Sequence, residues 1–454
     1  MSKTLFKNAK AIVTVDDSNR VLANANLCIH GNIIDYIGYE DVSADRTIDA
    51  SRLILYPGLI NTHHHFYQTF TRNLPQVQNL ELFPWLKALY EIWRYLDEES
   101  IYYSSLTAMG ELLRYGCTTV MDHHYVFPKE HSGNFIDRQF DAAEALGIRL
   151  HATRGSMSRG KSEGGLPPDD LVQDITTILE DSERLVNKFH DPSPFSMRQI
   201  ALAPCSPFSV TTDLLKESAR LARKLGVRLH THLCETHDEE QFCLDLFGQR
   251  PLDYMESCEW TGNDVWYAHG IHFDDEELER LAKTGTGVAH CPVSNMKLSS
   301  GVCRVPEMLE LGVPLGLGVD GSASNDCSNL MAEIRAAYLL HRLTWSDKAP
   351  TGYDMLKIAT RGSAGILGHD DIGSLEEGKA ADFFAVEASS LEFVCSEKDA
   401  ANLLGTVGVS KPAHFVYVNG NLVAEKGFLL GIDEEKTARA ARRKVDSILQ
   451  RAGL

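Results

Sequence analysis

Eight short apolar runs of strand length recur through the middle of this chain, at 58–61, 118–122, 148–152, 199–203, 227–232, 265–269, 287–290 and 315–320. Between them lie stretches such as 99–115, 212–224, 275–283 and 329–343, whose apolar residues fall at the spacing of one helix face. Strand–helix alternation builds parallel sheet, because a parallel neighbour is reached only through a crossover. Eight such units predict an α/β fold, a (β/α)8 TIM-type barrel. No G-x-G-x-x-G follows the first run, which weighs against the alternative of an open doubly wound sheet. A chain of 454 residues, 43% hydrophobic, can fill a barrel core and an accessory domain besides.

The two ends have a different texture. Residues 1–57 read as short strands at 11–15, 21–29, 33–37 and 52–55, most of them separated by turn residues such as Asp16, Asp17, Gly31, Asn32 and Gly38. Strand runs return at 382–386, 413–418 and 422–424, the last two joined by Asn419-Gly420, a type I′ hairpin signal. The expectation is a discontinuous β-sandwich from 1–57 and 370–430, the barrel over 58–369, and a C-terminal helix within 431–454.

The barrel runs end in chemistry. The first leads into His63-His64-His65, the fifth closes on His230-Thr231-His232 with Glu235 beyond, the sixth ends in His269, the seventh in His290 and the eighth in Asp320. Strand C-termini converge on the face where barrel enzymes place their sites. Alternation turns His63 and His65 to one side and His64 away. A single histidine at a strand end is most often an ordinary hydrogen-bonded residue. Here His63, His65, His232 and Asp320 come together as a nitrogen/oxygen set suited to zinc or iron at about 2.0–2.2 Å. His30, His131, His190, His341, His369 and His414 lie away from the strand ends and read as structural or surface residues.

Bulk features exclude several partners. A formal charge of −19, from 63 acidic against 44 basic residues, repels nucleic-acid phosphates and anionic lipid, so neither nucleic acid nor membrane is an expected partner. The ten cysteines form no C-x-x-C pair, which suits free thiols in a reducing compartment. Residues 1–14 carry lysines without an uninterrupted apolar core, unlike a signal peptide, and no run is long and apolar enough for a membrane helix. A cytoplasmic homo-oligomer is expected, dimer or tetramer.

The run Pro57-Gly58-Leu59-Ile60-Asn61-Thr62-His63-His64-His65 resembles the first-strand signature of the amidohydrolase superfamily, as do His230-Thr231-His232-Leu233-Cys234-Glu235-Thr236, Ala268-His269-Gly270, His290-Cys291-Pro292 with Ser294-Asn295, and Gly318-Val319-Asp320-Gly321. The segment Ile372-Gly373-Ser374-Leu375-Glu376-Glu377-Gly378-Lys379-Ala380-Ala381-Asp382 is similar to that family's return into its β domain. The resemblance implies metal ligands at His63, His65, His232 and Asp320. The fourth run ends Ala203-Pro204-Cys205, without the lysine that bridges two metals in other members. That departure implies the single-metal deaminase branch: one Zn2+ per chain, with Fe2+ as the alternative. The implied catalytic residues are Glu235 as proton shuttle, Asp320 as acceptor of the water proton, and His269 as a polarising donor that is not a ligand.

Loop segments resemble the branch's bacterial members that act on 8-oxoguanine. They are Phe66-Tyr67-Gln68-Thr69, Leu82-Phe83-Pro84-Trp85-Leu86, Asp122-His123-His124-Tyr125, Thr153-Arg154-Gly155-Ser156, Pro204-Cys205-Ser206-Pro207-Phe208 and Ser322-Ala323-Ser324-Asn325. The resemblance implies 8-oxoguanine and water giving urate and ammonia. Gln68, whose amide both donates and accepts, is the first candidate for substrate contact, with Trp85, His123 and Cys205 behind it. Guanine, isocytosine, pterin and s-triazine substrates stay open, as does a non-catalytic assembly module.

Overall fold

The computed structural model describes residues 2–129 and 133–454, so His131 lies outside the described residues. Eight strands, Leu59–Asn61, Cys117–Asp122, Arg149–Ser156, Arg198–Pro204, Arg228–Leu233, Val265–His269, Gly287–His290 and Leu315–Leu317, form a closed parallel barrel. Leu317 pairs with Asn61 and closes the ring, which rules out the open sheet. The helices between them start and stop where their caps dictate. Asp97 and Ser100 form a capping box at the head of Glu98–Arg114, and Asp274 with Glu277 does so for Asp275–Thr284. Gly226 and Gly285, both left-handed, end Thr212–Leu225 and Asp275–Thr284. Asn329, expected inside its helix, caps Leu330–Trp345 by accepting from Ala332 N–H.

Two barrel strands differ from the sequence reading in ways that bear on the site. The third runs on to Ser156 instead of stopping near 152, because Arg154 is buried inside it. That guanidinium is neutralised by Asp181 (2.5 Å), bonds to Gln173 (2.9 Å) and stacks over the Phe127 ring, so a residue that reads as loop is sheet. The eighth stops at Leu317, short of Asp320. There Asn61 Oδ1 takes the Val319 N–H and His63 O takes that of Asp320, so the chain leaves the ladder and bends over the barrel mouth.

Both chain ends share one nine-stranded sheet. Lys3–Val13, Val21–His30, Ile33–Gly38, Arg46–Asp49 and Leu53–Pro57 join Phe383–Glu387, Phe415–Val418, Asn421–Glu425 and Phe428–Leu429, the weld being the antiparallel pair Leu53–Pro57 with Phe383–Glu387. Arg46–Asp49, which the sequence reading missed, is a mostly exposed edge parallel to Lys3–Val13. Phe6 and Tyr417 sit three strands apart in this order, about 14 Å in a flat sheet, yet their rings meet edge-on at 5.3 Å. The sheet therefore curls over its own apolar face, the sandwich expected from both ends. Asn419 and Gly420 both have positive φ (47° and 77°), as a type I′ turn requires. Arg149, fully buried at the start of the third barrel strand, pairs with Asp382 and ties barrel to sheet. The helix Glu434–Arg451 packs on Glu98–Arg114. All ten cysteines are free thiols, and no helix among the described residues is long and apolar enough to cross a membrane.

Candidate metal centre

Three imidazoles converge because the backbone around each fixes its tautomer. His65 Nδ1–H donates to the His123 carbonyl (2.6 Å) and His232 Nδ1–H to the Cys205 carbonyl (2.7 Å), leaving both Nε2 lone pairs free. His63 is set through a relay: His230 Nδ1–H donates to Trp266 O (2.9 Å), so His230 Nε2 accepts from His63 Nδ1–H (2.9 Å). His63 Nε2 is left buried with no hydrogen-bond partner. Burial lowers the pKa of His63 and His230 and takes that of His232 down to about 3, so these rings are neutral, as metal ligands must be.

The fourth corner is Asp320. Its Oδ1 stands 3.2 Å from both His63 Nε2 and His65 Nε2, while His65 Nε2 and His232 Nε2 are 3.1 Å apart. Donor atoms about 3.2 Å apart are the spacing of neighbours that share one ion at about 2.0 Å, the bond length of zinc to imidazole and carboxylate. Ser294 and Ser324 hydroxyls donate to Asp320 Oδ2 (2.5 and 3.1 Å), and Gly321 N–H donates to Oδ1. Three donors onto its two oxygens favour the ionised carboxylate. His63, His65, His232 and Asp320 thus offer three imidazole nitrogens and one carboxylate oxygen at the barrel mouth.

Glu235 lies at the lip of this centre. Its Oε2 is 3.5 Å from His269 Nε2, and its Oε1 is 3.5 Å from the Ser300 hydroxyl. Burial, and after it the charge of Asp320, pushes the Glu235 carboxyl up to about 8. His269 is aimed by Asn295, whose Oδ1 is 2.9 Å from Nδ1. Cys234, His269 and Asp320 all have positive φ (53°, 73° and 60°). Non-glycine residues held left-handed at three strand ends are local strain kept where side chains must be aimed.

His65, His232, Asp320, Glu235 and His269 line a cavity that also takes in Gln68, Trp85 and Cys205 of the sequence candidates. Its walls are Leu82, Leu86, Phe208, Leu298 and the Tyr125 ring. Gln68 Oε1 and Trp85 Nε1 are buried there without partners. His123 is not among the residues lining the cavity. Its Nε2–H is spent on Ala203 O (2.8 Å) and its ring stacks on His232 at 4.7 Å, so it backs the imidazole cluster instead of facing a substrate. His290 also stays out of the cavity, paired with His341 at 3.3 Å. The sequence reading assigned no role to His230, Asn295, Ser294 or Ser324. Alternation was the available signal for His230, two residues before His232 and so on the same strand face.

The chain matches the model of the amidohydrolase family over residues 54–431. It is 47% identical to 8-oxoguanine deaminase of Pseudomonas aeruginosa, over 95% of this chain and 96% of that protein. Hydroxydechloroatrazine ethylaminohydrolase of a Pseudomonas species is 42% identical, over 97% and 95%. Atrazine chlorohydrolase of Arthrobacter aurescens, solved with zinc, superposes with a TM-score of 0.93 at 34% identity, covering 97% of this chain and all of that one. The chain belongs to the amidohydrolase family. It is a metal-dependent hydrolase of carbon–nitrogen bonds.

Proposed function

We propose that the protein hydrolytically deaminates an oxidised purine base, converting 8-oxoguanine and water to urate and ammonia. The observation that carries this reading is the lining of the cavity. One wall presents the donor atoms of His65, His232 and Asp320 and a protonated acid, and the rest is largely apolar, with an unpartnered amide oxygen and an unpartnered indole N–H. A heterocycle with N–H and C=O groups on its edge suits such a lining.

His63, His65, His232 and Asp320 would hold one Zn2+, with Fe2+ the alternative. When bound, the ion supplies Lewis acidity, which brings deprotonation of water close to neutral pH. Asp320 Oδ2 takes the proton of the attacking water. Glu235 gives its proton to the ring nitrogen beside the amino-bearing C2, which makes that carbon electron-poor. His269 Nε2 faces the same space and polarises the oxygen as it adds to C2. The C2–N bond then breaks as Asp320 passes its proton to the leaving group; ammonia departs, and the hydroxyl proton left on the C2 oxygen returns to Glu235 as the carbonyl forms. Gln68 Oε1 and Trp85 Nε1–H would meet a donor and an acceptor on the substrate edge, and Cys205 closes the floor.

The near full-length likeness to a protein named for 8-oxoguanine supports this substrate, and the 42% likeness to a triazine aminohydrolase supports a second reading, displacement of an amine from an s-triazine. Ammonia release from a panel of purines, pyrimidines, pterins and triazines separates the two. The first reading expects 8-oxoguanine to lead. A triazine leading by tenfold or more would replace it with the second.

A further inference from the structure

The loop that carries Glu235 is held by a second acid. The strand Arg228–Leu233 ends, the chain turns at Cys234 with φ of 53°, and the two N–H groups at this turn point away from the sheet. Both end on one carboxylate: Cys234 N–H donates to Glu239 Oε1 (2.9 Å) and Glu235 N–H to Glu239 Oε2 (3.1 Å). The Cys234 carbonyl on the other side accepts from Ile271 (2.8 Å) and His272 (3.0 Å). Glu239 sits in the first turn of the helix His237–Phe247 and is fully buried. Among the described residues no cation pairs with it, so those two amides are what offset its burial.

We propose that Glu239 is a positioning residue for the Glu235 proton carrier. Two oxygens on two successive N–H groups fix the peptide plane between Cys234 and Glu235, and with it the direction in which the Glu235 side chain leaves the backbone. Left-handed Cys234 would otherwise relax toward the ordinary region and swing Glu235 away from His269 and the ring nitrogen it serves. A glutamine at this position offers one oxygen and one NH2. It can hold only one of the two N–H groups and repels the other. The inference rests on the reading of Glu235 given above.

The test is Glu239→Gln, with Glu239→Asp as the second variant, whose shorter side chain reaches one N–H. Both are assayed for ammonia release, metal content and hydrogen exchange. Glu239→Gln is expected to lower kcat about tenfold to a hundredfold with KM within about threefold and metal retained. Exchange at the Cys234 and Glu235 amides should accelerate while Arg228–Leu233 stays protected. Glu239→Asp should fall between parent and Glu239→Gln. A kcat within twofold of parent in Glu239→Gln overturns the proposal. So does a loss of activity that tracks loss of metal or of fold in both variants, since Glu239 would then be structural. If Glu235→Gln itself turns over near the parent rate, the reading of Glu235 fails instead, and the two failures are distinct.

Discussion

Gln68 offers a perturbation whose size follows from the structure. It lies in the short turn Phe66–Thr71 just past His65, and its Oε1 is buried in the cavity without a partner. If a substrate N–H supplies that partner, Gln68→Ala leaves a buried donor unsatisfied, at a cost of about 1–3 kcal/mol. The expected loss in kcat/KM is about tenfold to a hundredfold, with metal content unchanged. A second change reaches the same atom from the other side. Gly321 has φ of −70°, which alanine adopts without strain, but a methyl there would overlap Gln68 Oε1. Gly321→Ala should therefore displace the amide and lower kcat/KM in the same direction. In the double variant the second change should cost little, because alanine at position 68 leaves nothing to displace. Steady-state ammonia release gives the rates, and melting temperature controls for fold. An unchanged kcat/KM in Gln68→Ala makes Gln68 structural, and additive losses in the double variant reject the overlap.

Glu235→Gln should keep fold and metal and lose several orders of magnitude in kcat, since an amide cannot deliver the proton; near-parent turnover would assign the proton to another acid. With the Glu235 carboxyl pushed up to about 8, the acid form prevails at pH 7, so kcat/KM should fall as pH rises through about 8, and a profile flat to pH 9.5 would contradict that protonation state. Elemental analysis should find about one divalent ion per chain, chelation should abolish activity and zinc restore it; two tightly held ions would refute a four-ligand, single-metal centre. Asp382→Ala strands the buried Arg149 charge about 20 Å down its strand from the site, so stability should drop by about 3–5 kcal/mol in denaturant titration with KM unchanged; a loss under 1 kcal/mol would mean Arg149 is satisfied by Thr119 and Ser196 alone.

The barrel was legible because alternation and count are properties of the chain alone: eight apolar runs separated by helical stretches, with His or Asp at the ends of several. What was not legible came from tertiary pairing. Arg154 reads as a loop residue until Asp181, 27 positions away, neutralises it inside the sheet. Asp320 reads as the end of its strand until Asn61 and His63 draw Val319 and Asp320 off the ladder. The ligand candidates stood out by spacing. Their supports did not, since the carbonyls of His123, Cys205 and Trp266 that set the three tautomers carry no side-chain signature. The same holds for His123: which ring nitrogen is spent on a backbone carbonyl cannot be read from a one-dimensional motif.

The most direct test of the central claim is a competition between 8-oxoguanine and guanine, with urate followed by its ultraviolet absorbance. The two bases differ only by the 8-oxo group and the N7–H that comes with it, the kind of polar edge that an orphaned acceptor and an orphaned donor can distinguish by large factors. The account predicts urate formation with kcat/KM at least tenfold above that for guanine. Guanine matching or exceeding 8-oxoguanine would contradict it.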